Sequence, residues 1–302
     1  MRKLLLFSFL ITIANAGDFD PAAGQPGSLA IPLDDSRIRS WANGIHDYQP
    51  GDDVDEVWQT PQNALGPASG DPFDILCLGR GGSITFSWVA PLFNGPGPDI
   101  AIFENSFSDR FLELAHVEVS SDGENWQRFP SISQTPSPVG SFGITEPTNV
   151  SGLAGKYRAT FGTGFDFADL PQHPHVDRDA IRFIRIVDVV GNGTDLDSLG
   201  NPIYDPYPTF GSAGFDLDGL AVLSPPPLTL LDSKVDGSNL TFSWAVEAGK
   251  SYVVERASDL RSSSWDTIFT ATLESPRFDF VAPQRTGEFF RLREHSTAAD
   301  LR

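Results

Sequence analysis

The sequence predicts an all-β protein built from two successive β-sandwiches. Short segments alternate between apolar and polar residues, which is the pattern of strands with one buried face. The 302 residues include 28 glycines and 24 prolines, which supply tight turns between strands. Helical periodicity is nowhere sustained for three turns. These three observations favour strands and turns along the whole chain.

Residues 1–16 are predicted to be a cleavable signal peptide. Two positive residues precede the apolar run Leu4–Ile13, and Ala14-Asn15-Ala16 places small residues before a cleavage site at Gly17. The apolar run is about half of the ~20 residues that a membrane-spanning helix needs. We therefore expect an extracytoplasmic protein, secreted or at the outer cell surface, with the periplasm as an alternative and no transmembrane segment after cleavage.

The first sandwich is predicted over residues 17–224. Short strands alternate there with turns rich in Gly, Pro, Asn and Asp. Two long stretches, 130–164 and 191–214, show little regular pattern, and loops of such length are usually functional or tied by a metal. The candidate strands are Ser83–Trp88, Ile100–Phe103, Ala115–Ser120, Ile181–Val190 and Phe215–Leu223.

The second sandwich is predicted over residues 225–302. Three consecutive prolines, Pro225-Pro226-Pro227, cannot lie inside a central strand and form a stiff spacer. The alternating or aromatic-rich strands that follow have the spacing of a fibronectin- or immunoglobulin-like accessory domain. They are Leu240–Trp244, Ser251–Arg256 and Glu288–Arg293.

Charge is concentrated in the first domain. Residues 17–224 contain 29 Asp and Glu against 10 Lys and Arg, whereas residues 225–302 contain 11 against 9. Such acidity argues against nucleic acid and anionic membranes as partners. It is consistent with bound calcium, although acidity can also simply maintain solubility. The single cysteine, Cys77, lies in an apolar run and excludes an intramolecular disulfide.

One hairpin carries a resemblance to a known fold family. The segment Val117–Phe129, with Asp-Gly at its turn and Trp126 after it, and the strand Ile181–Ile186 resemble the matching elements of discoidin-like, galactose-binding-type jelly rolls. This resemblance implies that the first domain is an eight-stranded jelly-roll β-sandwich used for binding.

A second resemblance covers almost all of the first domain. Its most distinctive segments are Ile102–Asn105 (IFEN), Gly152–Tyr157 (GLAGKY) and Asn201–Asp218 (NPIYDPYPTFGSAGFDLD). They are similar to a widespread group of bacterial cell-surface proteins, many with surface-sorting tails, which implies a surface or secreted role. No apolar sorting helix stands before Arg302, so anchoring by that route is not expected. The second domain is similar to carboxy-terminal modules of secreted bacterial proteins.

Carboxylates in the first domain are the candidate metal ligands. Calcium takes six to eight oxygens from carboxylates, amides and carbonyls on a flexible chain, and the acidic, glycine-rich stretch 188–218 meets that need. The alternative is a surface loop rich in Asx-turns. Glu104 and Asn105 end an apolar strand, where a carboxylate needs a metal, a backbone amide or Arg110 as partner. The predicted calcium ligands are Glu104, Asn105, Asp188, Asp195, Asp197, Asp216 and Asp218.

Aromatic residues in turn-rich segments are the candidate ligand-binding residues. Tyr48 and Trp58 lie near the N-terminus, and Tyr204 and Tyr207 lie in a proline-rich stretch. Aromatic side chains in loops are used by sugar-binding sites for stacking, although the same rings can fold inward and close the ends of a sandwich.

The function predicted from these patterns is binding. We expect a calcium-stabilised secreted or cell-surface protein that binds carbohydrate or a surface polymer. One alternative is a polysaccharide hydrolase or lyase, because Asp216 and Asp218 are two residues apart on one strand and paired carboxylates cleave glycosidic bonds. Another is a structural surface component without a discrete ligand. No catalytic residue is assigned.

Overall fold

The computed structural model describes most of the chain beyond the predicted signal peptide. Residues 1–16 and the predicted proline spacer lie outside the described residues, so both stay predictions. In the part that is described, no helix is long and apolar enough to cross a membrane. The described ranges are 17–224, 229–246, 249–259, 264–275, 277–283 and 287–295.

The all-β class is confirmed. Described helices are single turns at Glu56–Trp58, Pro61–Ala64, Pro147–Asn149 and Phe167–Asp169. The strands are β1 (Ile31–Pro32), β2 (Ser40–Trp41), β3 (Ile45–Gln49), β4 (Leu76–Cys77), β5 (Ser83–Leu92), β6 (Ile100–Glu104), β7 (Ala115–Ser120), β8 (Gln127–Arg128), β9 (Ile132–Ser133), β10 (Val150–Ser151), β11 (Phe161–Phe165), β12 (Ile181–Asp188), β13 (Asn192–Leu196), β14 (Pro202–Tyr204), β15 (Asp216–Val222), β16 (Thr229–Asp236), β17 (Asn239–Ala245), β18 (Lys250–Ala257), β19 (Asp266–Leu273), β20 (Arg277–Pro283) and β21 (Phe289–Glu294).

Two antiparallel sheets form the first sandwich. One has the order β1-β11-β6-β15-β2, with β4 also paired to β15, and the other has the order β3-β5-β12-β7-β8. From β5 onward the chain crosses between the sheets, passing from β5 to β6, back to β7 and β8, then to β11, β12 and β15. This alternation of antiparallel strands is the strand order of a jelly roll.

The core lies between the two sheets. From one sheet Ile102 and Leu220 point inward, and from the other Phe86, Val117 and Ile184 meet them, all of them at most 1% exposed. Burial of each such side chain contributes about 1.5–3 kcal/mol, so this layer holds the two sheets together. On β12, where most residues between the inward-facing ones are only partly buried, this packing produces the alternating pattern predicted from the sequence.

The second sandwich has two three-stranded sheets. One has the order β16-β17-β20 and the other the order β19-β18-β21, all antiparallel. Its core contains Trp244, Tyr252, Val254 and Leu292, with phenylalanines such as Phe278 packed against them. This arrangement is a small sandwich of the predicted fibronectin- or immunoglobulin-like kind.

The two long stretches that lacked a pattern contain short strand pairs. β9 pairs with β10 across residues 132–151, and β13 pairs with β14 across 192–204. These strands are only two to five residues long. Such short strands produce too few alternations to be recognised from the sequence.

Candidate functional site

A cleft of about 490 Å³ opens at one end of the first sandwich. It lies where β6 ends and β15 begins, so Glu104 and Asp216 both reach its floor. Glu113, from the connection that leads into β7, completes the floor. Three carboxyl groups from three parts of the chain therefore lie at the bottom of one cleft.

Backbone hydrogen bonds position the floor. The Asn105 N–H donates to the Asp216 carbonyl oxygen (3.1 Å), which joins the end of β6 to the start of β15. The Ser106 N–H donates to Glu104 Oε2 (2.8 Å), so this carboxylate has the backbone partner that its burial requires. Glu113 is held between Leu112 and Leu114, which are both fully buried.

The three floor carboxyls favour the protonated state. Burial raises the pKa of Glu104 and of Glu113 well above the usual range, and the charge of Asp216 raises both further. Burial also raises the pKa of Asp216 to about 7, although a hydrogen bond with the Cys77 thiol acts in the opposite direction. Because the groups interact, ionisation of one raises the pKa of the others.

Two oxygens of the floor lack a partner within the described residues. Glu113 is only 4% exposed, yet its Oε1 atom accepts no hydrogen bond there. The Oδ1 atom of Asp216 is also buried and accepts none. Buried polar atoms are nearly always hydrogen-bonded, so both atoms are available to a donor that enters the cleft.

Phenylalanines form the rim of the cleft. Phe107, Phe142 and Phe210 are 75%, 88% and 68% exposed. Phe111 stacks on Phe107 with ring centroids 4.6 Å apart, and Phe142 extends the stack at 6.3 Å. Exposed apolar rings grouped around a polar floor are typical of a binding site.

Three of the predicted calcium ligands line this cleft, namely Glu104, Asn105 and Asp216. The other four do not line it. Asp188 accepts hydrogen bonds from the Gly81 and Phe215 N–H groups, and Asp218 accepts from those of Ser69 and Gly70.

The remaining two lie on or beside the β13 hairpin. Asp195 accepts from the Val190 N–H, while Asp197 accepts from the N–H groups of Ser133, Leu199 and Asn201. Asp197 thereby closes the turn as an Asx-type cap, the alternative that the sequence left open. Backbone amides supply the hydrogen-bond partners of these carboxylates.

Calcium binding stays a prediction. Within the described ranges, no three His, Cys, Asp or Glu side chains form a group that could hold a metal ion. If an ion nevertheless ties the acidic loops, EDTA will lower the melting temperature by several degrees and excess calcium will restore it. A melting temperature that EDTA leaves unchanged would contradict the prediction.

The four predicted ligand-binding aromatics lie outside the cleft. Tyr48 donates to the Cys77 carbonyl oxygen (3.0 Å), and burial raises its pKa to about 12. Trp58 stacks on Phe73 at 6.3 Å, and Tyr207 packs under the Arg80 guanidinium at 5.3 Å. Tyr204 lies against Gly193, where a side chain would collide with the ring. Their role in binding remains a prediction.

Sequence reasoning missed Glu113 and the rim phenylalanines. Glu113 had one available signal, because a carboxylate flanked by two leucines is unusual in a strand-rich core. Phe107, Phe111 and Phe142 stand in turn-rich segments without a repeating pattern. Only the folded chain brings them beside one another.

Comparison with known proteins adds little to this geometry. No protein-family model and no curated protein matches the chain. Among solved structures, a β-1,2-glucanase from Parabacteroides distasonis matches at 11% identity with a TM-score of 0.26. The match covers 80% of this chain and 33% of the glucanase, so the chain spans about a third of that enzyme. A likeness this weak carries no argument about activity.

Proposed function

We propose that this chain is a secreted or cell-surface protein that binds a carbohydrate polymer in the phenylalanine-rimmed cleft. The predicted signal peptide and the resemblance to bacterial surface proteins support the location. The observation that carries the proposal is the pair of unpartnered carboxyl oxygens, on Glu113 and Asp216, beneath exposed phenylalanine rings. Calcium stabilisation remains part of the proposal through the predicted ligands that do not line the cleft, Asp188, Asp195, Asp197 and Asp218.

The chemistry of a sugar matches both parts of this cleft. Sugar hydroxyl groups donate hydrogen bonds, which the open carboxyl oxygens accept. The C–H faces of the sugar ring are apolar and pack on aromatic rings such as Phe142, which is 88% exposed.

A second candidate function is cleavage of a glycosidic bond. Such cleavage uses one protonated and one ionised carboxyl group, and carboxyls with raised pKa that share protons meet this requirement. Glu104, Glu113 and Asp216 are such a set. Turnover of a polymer that Asp216→Asn abolishes without lowering thermal stability would favour this function over simple binding.

Binding is expected to depend on the rim and on the floor. Phe142→Ala and Glu113→Gln should each weaken affinity for a glycan about tenfold, because each removes roughly 1–1.5 kcal/mol of stacking or hydrogen bonding. A glycan array would identify the ligand, and calorimetry would then measure the affinity of each variant.

Two controls separate this cleft from other aromatic surfaces. Phe289→Ala removes an exposed phenylalanine of the second sandwich and should leave affinity unchanged. Tyr204→Ala tests one of the aromatic residues predicted from the sequence. If Tyr204→Ala loses glycan binding and Phe142→Ala does not, the binding site lies at the 192–204 hairpin. No binding across a broad array would count against the proposal as a whole.

A further inference from the structure

The charge of the cleft selects among sugars. Its floor holds Glu104, Glu113 and Asp216, and none of the described lining residues is Lys, Arg or His. The neighbouring guanidinium groups already have acidic partners, because Arg80 pairs with Asp53 and Arg110 pairs with Glu146. The floor is therefore an acidic site for which the described chain provides no cation.

We propose that this floor binds an ammonium group, so that the polymer recognised carries free amines on its sugars. The inference rests on the proposed function and names its substrate class. It depends on Glu113, which is 4% exposed and has an unpartnered Oε1, and on the buried, unpartnered Oδ1 of Asp216.

An ammonium group meets the needs of the floor better than a hydroxyl group does. It has three N–H donors, enough for both open oxygens and a third acceptor. It also carries a positive charge, which lowers the pKa of the floor carboxyls and so offsets the cost of ionising them in a buried position. A neutral hydroxyl satisfies the hydrogen bonds and leaves the charge uncompensated, and an anionic sugar adds repulsion.

The rim supports a cation as well as a sugar ring. Phenylalanine faces are negative and attract cations within about 6 Å of the ring centroid. Phe107 and Phe111 stand at the mouth above the floor, stacked 4.6 Å apart. A sugar ring packed on the rim would share one cleft with the floor carboxyls, so these acceptors lie in the same pocket as an amino substituent on that ring.

The floor geometry favours an organic cation over a metal ion. Calcium needs six to eight oxygens converging on one point. The floor carboxyls do not form such a group among the described residues. An ammonium group needs only two or three acceptors, and those acceptors are present.

Calorimetry with matched oligosaccharides tests the inference on the full mature chain. The probes are β-1,4-linked oligomers of glucosamine, of N-acetylglucosamine and of glucose, equal in length, at a pH that keeps the amine protonated. We expect the glucosamine oligomer to bind at least tenfold more tightly than the other two, as one charge-assisted hydrogen bond of about 1.5–3 kcal/mol implies. The comparison is made first on the wild-type protein, so it does not depend on the folding of a variant.

Variants then assign the preference to the floor. Glu113→Gln and Asp216→Asn keep the shape of the side chains and should remove the preference for the amine, so that the three oligomers bind each variant with similar, weaker affinity. Phe289→Ala should keep the preference.

Each contrary outcome has one meaning. Equal affinity for all three oligomers overturns the ammonium assignment and leaves the proposed function standing. No binding by any of them overturns the ammonium assignment, and silence on the broad glycan array as well overturns the proposed function. Polylysine binding as tightly as the glucosamine oligomer overturns the assignment to sugars. Calcium that binds alone and displaces the amine shows that the floor is a metal site.

Discussion

Replacing Asp216 with asparagine is expected to stabilise the protein at pH 8. Burial raises the pKa of this carboxyl from 3.8 to about 7, and the groups that interact with it include the Cys77 thiol and the acids Glu104, Glu113 and Asp188. Keeping the group ionised in the fold therefore costs free energy at pH 8. A shift of this size corresponds to about 4 kcal/mol, and interaction with neighbouring acids reduces the gain to roughly 2–4 kcal/mol.

The direction of this pH dependence follows from proton binding to Asp216. The folded state holds the Asp216 proton more tightly than the unfolded state, so its contribution to stability is full below pH 3.8 and is lost as pH rises through about 7. The wild-type melting temperature should therefore fall between pH 5 and pH 8 in the absence of ligand. Asp216→Asn should flatten this fall and melt roughly 5–10 °C higher at pH 8.

The control is an exposed carboxyl group whose pKa is lowered instead of raised. Hydrogen bonds from Asn125 and Glu124 lower the pKa of Asp122. Its stabilisation is present above pH 3.8 and is lost on acidification, so Asp122→Asn should not stabilise the protein at pH 8. Calorimetric melts of the three proteins across pH 4–8 make the comparison. Equal melting temperatures of the wild-type protein and Asp216→Asn at pH 8 would show that ionised Asp216 does not destabilise the fold.

Replacing Asp188 with alanine is expected to be strongly destabilising. This carboxylate is 2% exposed and accepts hydrogen bonds from the Gly81 N–H (2.8 Å) and the Phe215 N–H (2.7 Å). Alanine leaves both amides without an acceptor. Each unpaired buried amide costs about 1–3 kcal/mol of stability. Removing a carboxylate that is buried away from water offsets part of this cost, so the free energy of unfolding should fall by roughly 2–4 kcal/mol.

The same substitution is expected to disturb the cleft. The Phe215 amide precedes Asp216, so loss of the bond to Asp188 frees the start of β15 at the floor. Asp195→Ala is the control, because that half-buried side chain accepts a single hydrogen bond from the Val190 N–H (2.9 Å). Denaturant unfolding monitored by tryptophan fluorescence measures the free energy of unfolding of both variants. If Asp188→Ala lowers the free energy of unfolding no more than Asp195→Ala does, the Asp188 carboxylate does not stabilise the start of β15.

The prediction of individual strands succeeded where apolar residues alternate with polar ones. The predicted strand Ala115–Ser120 has the bounds of β7, whose alternating Ala115, Val117 and Val119 belong to the core, although the polar residues between them are buried as well. The predicted strand Ile100–Phe103 ends one residue later, at Glu104. That extra residue is the one that reaches the cleft, and its charge makes it a poor strand residue on sequence grounds alone.

The prediction of the site was limited by contacts distant in sequence. Glu104 and Asp216 were both selected, as possible metal ligands, because each is a carboxylate beside an apolar strand. Glu113 lies close to Glu104 along the chain, yet its relation to Asp216 depends on strands more than a hundred residues apart. Acidic residues such as Asp197 and Asp218 look equivalent to Asp216 in the sequence and differ only in the backbone amides that meet them.

The sequence by itself determined the all-β class and the positions of the main strands, because side-chain alternation and turn residues act over a few neighbouring positions. Its composition also determined where the negative charge is concentrated. Only the tertiary structure decided which carboxylates are satisfied by backbone amides and which remain open. That distinction depends on the pairing of β6 with β15 and on the packing of the 105–113 connection against them. Burial and hydrogen-bond partners are properties of the assembled sheets, and they single out Glu113 and Asp216 among many similar acids.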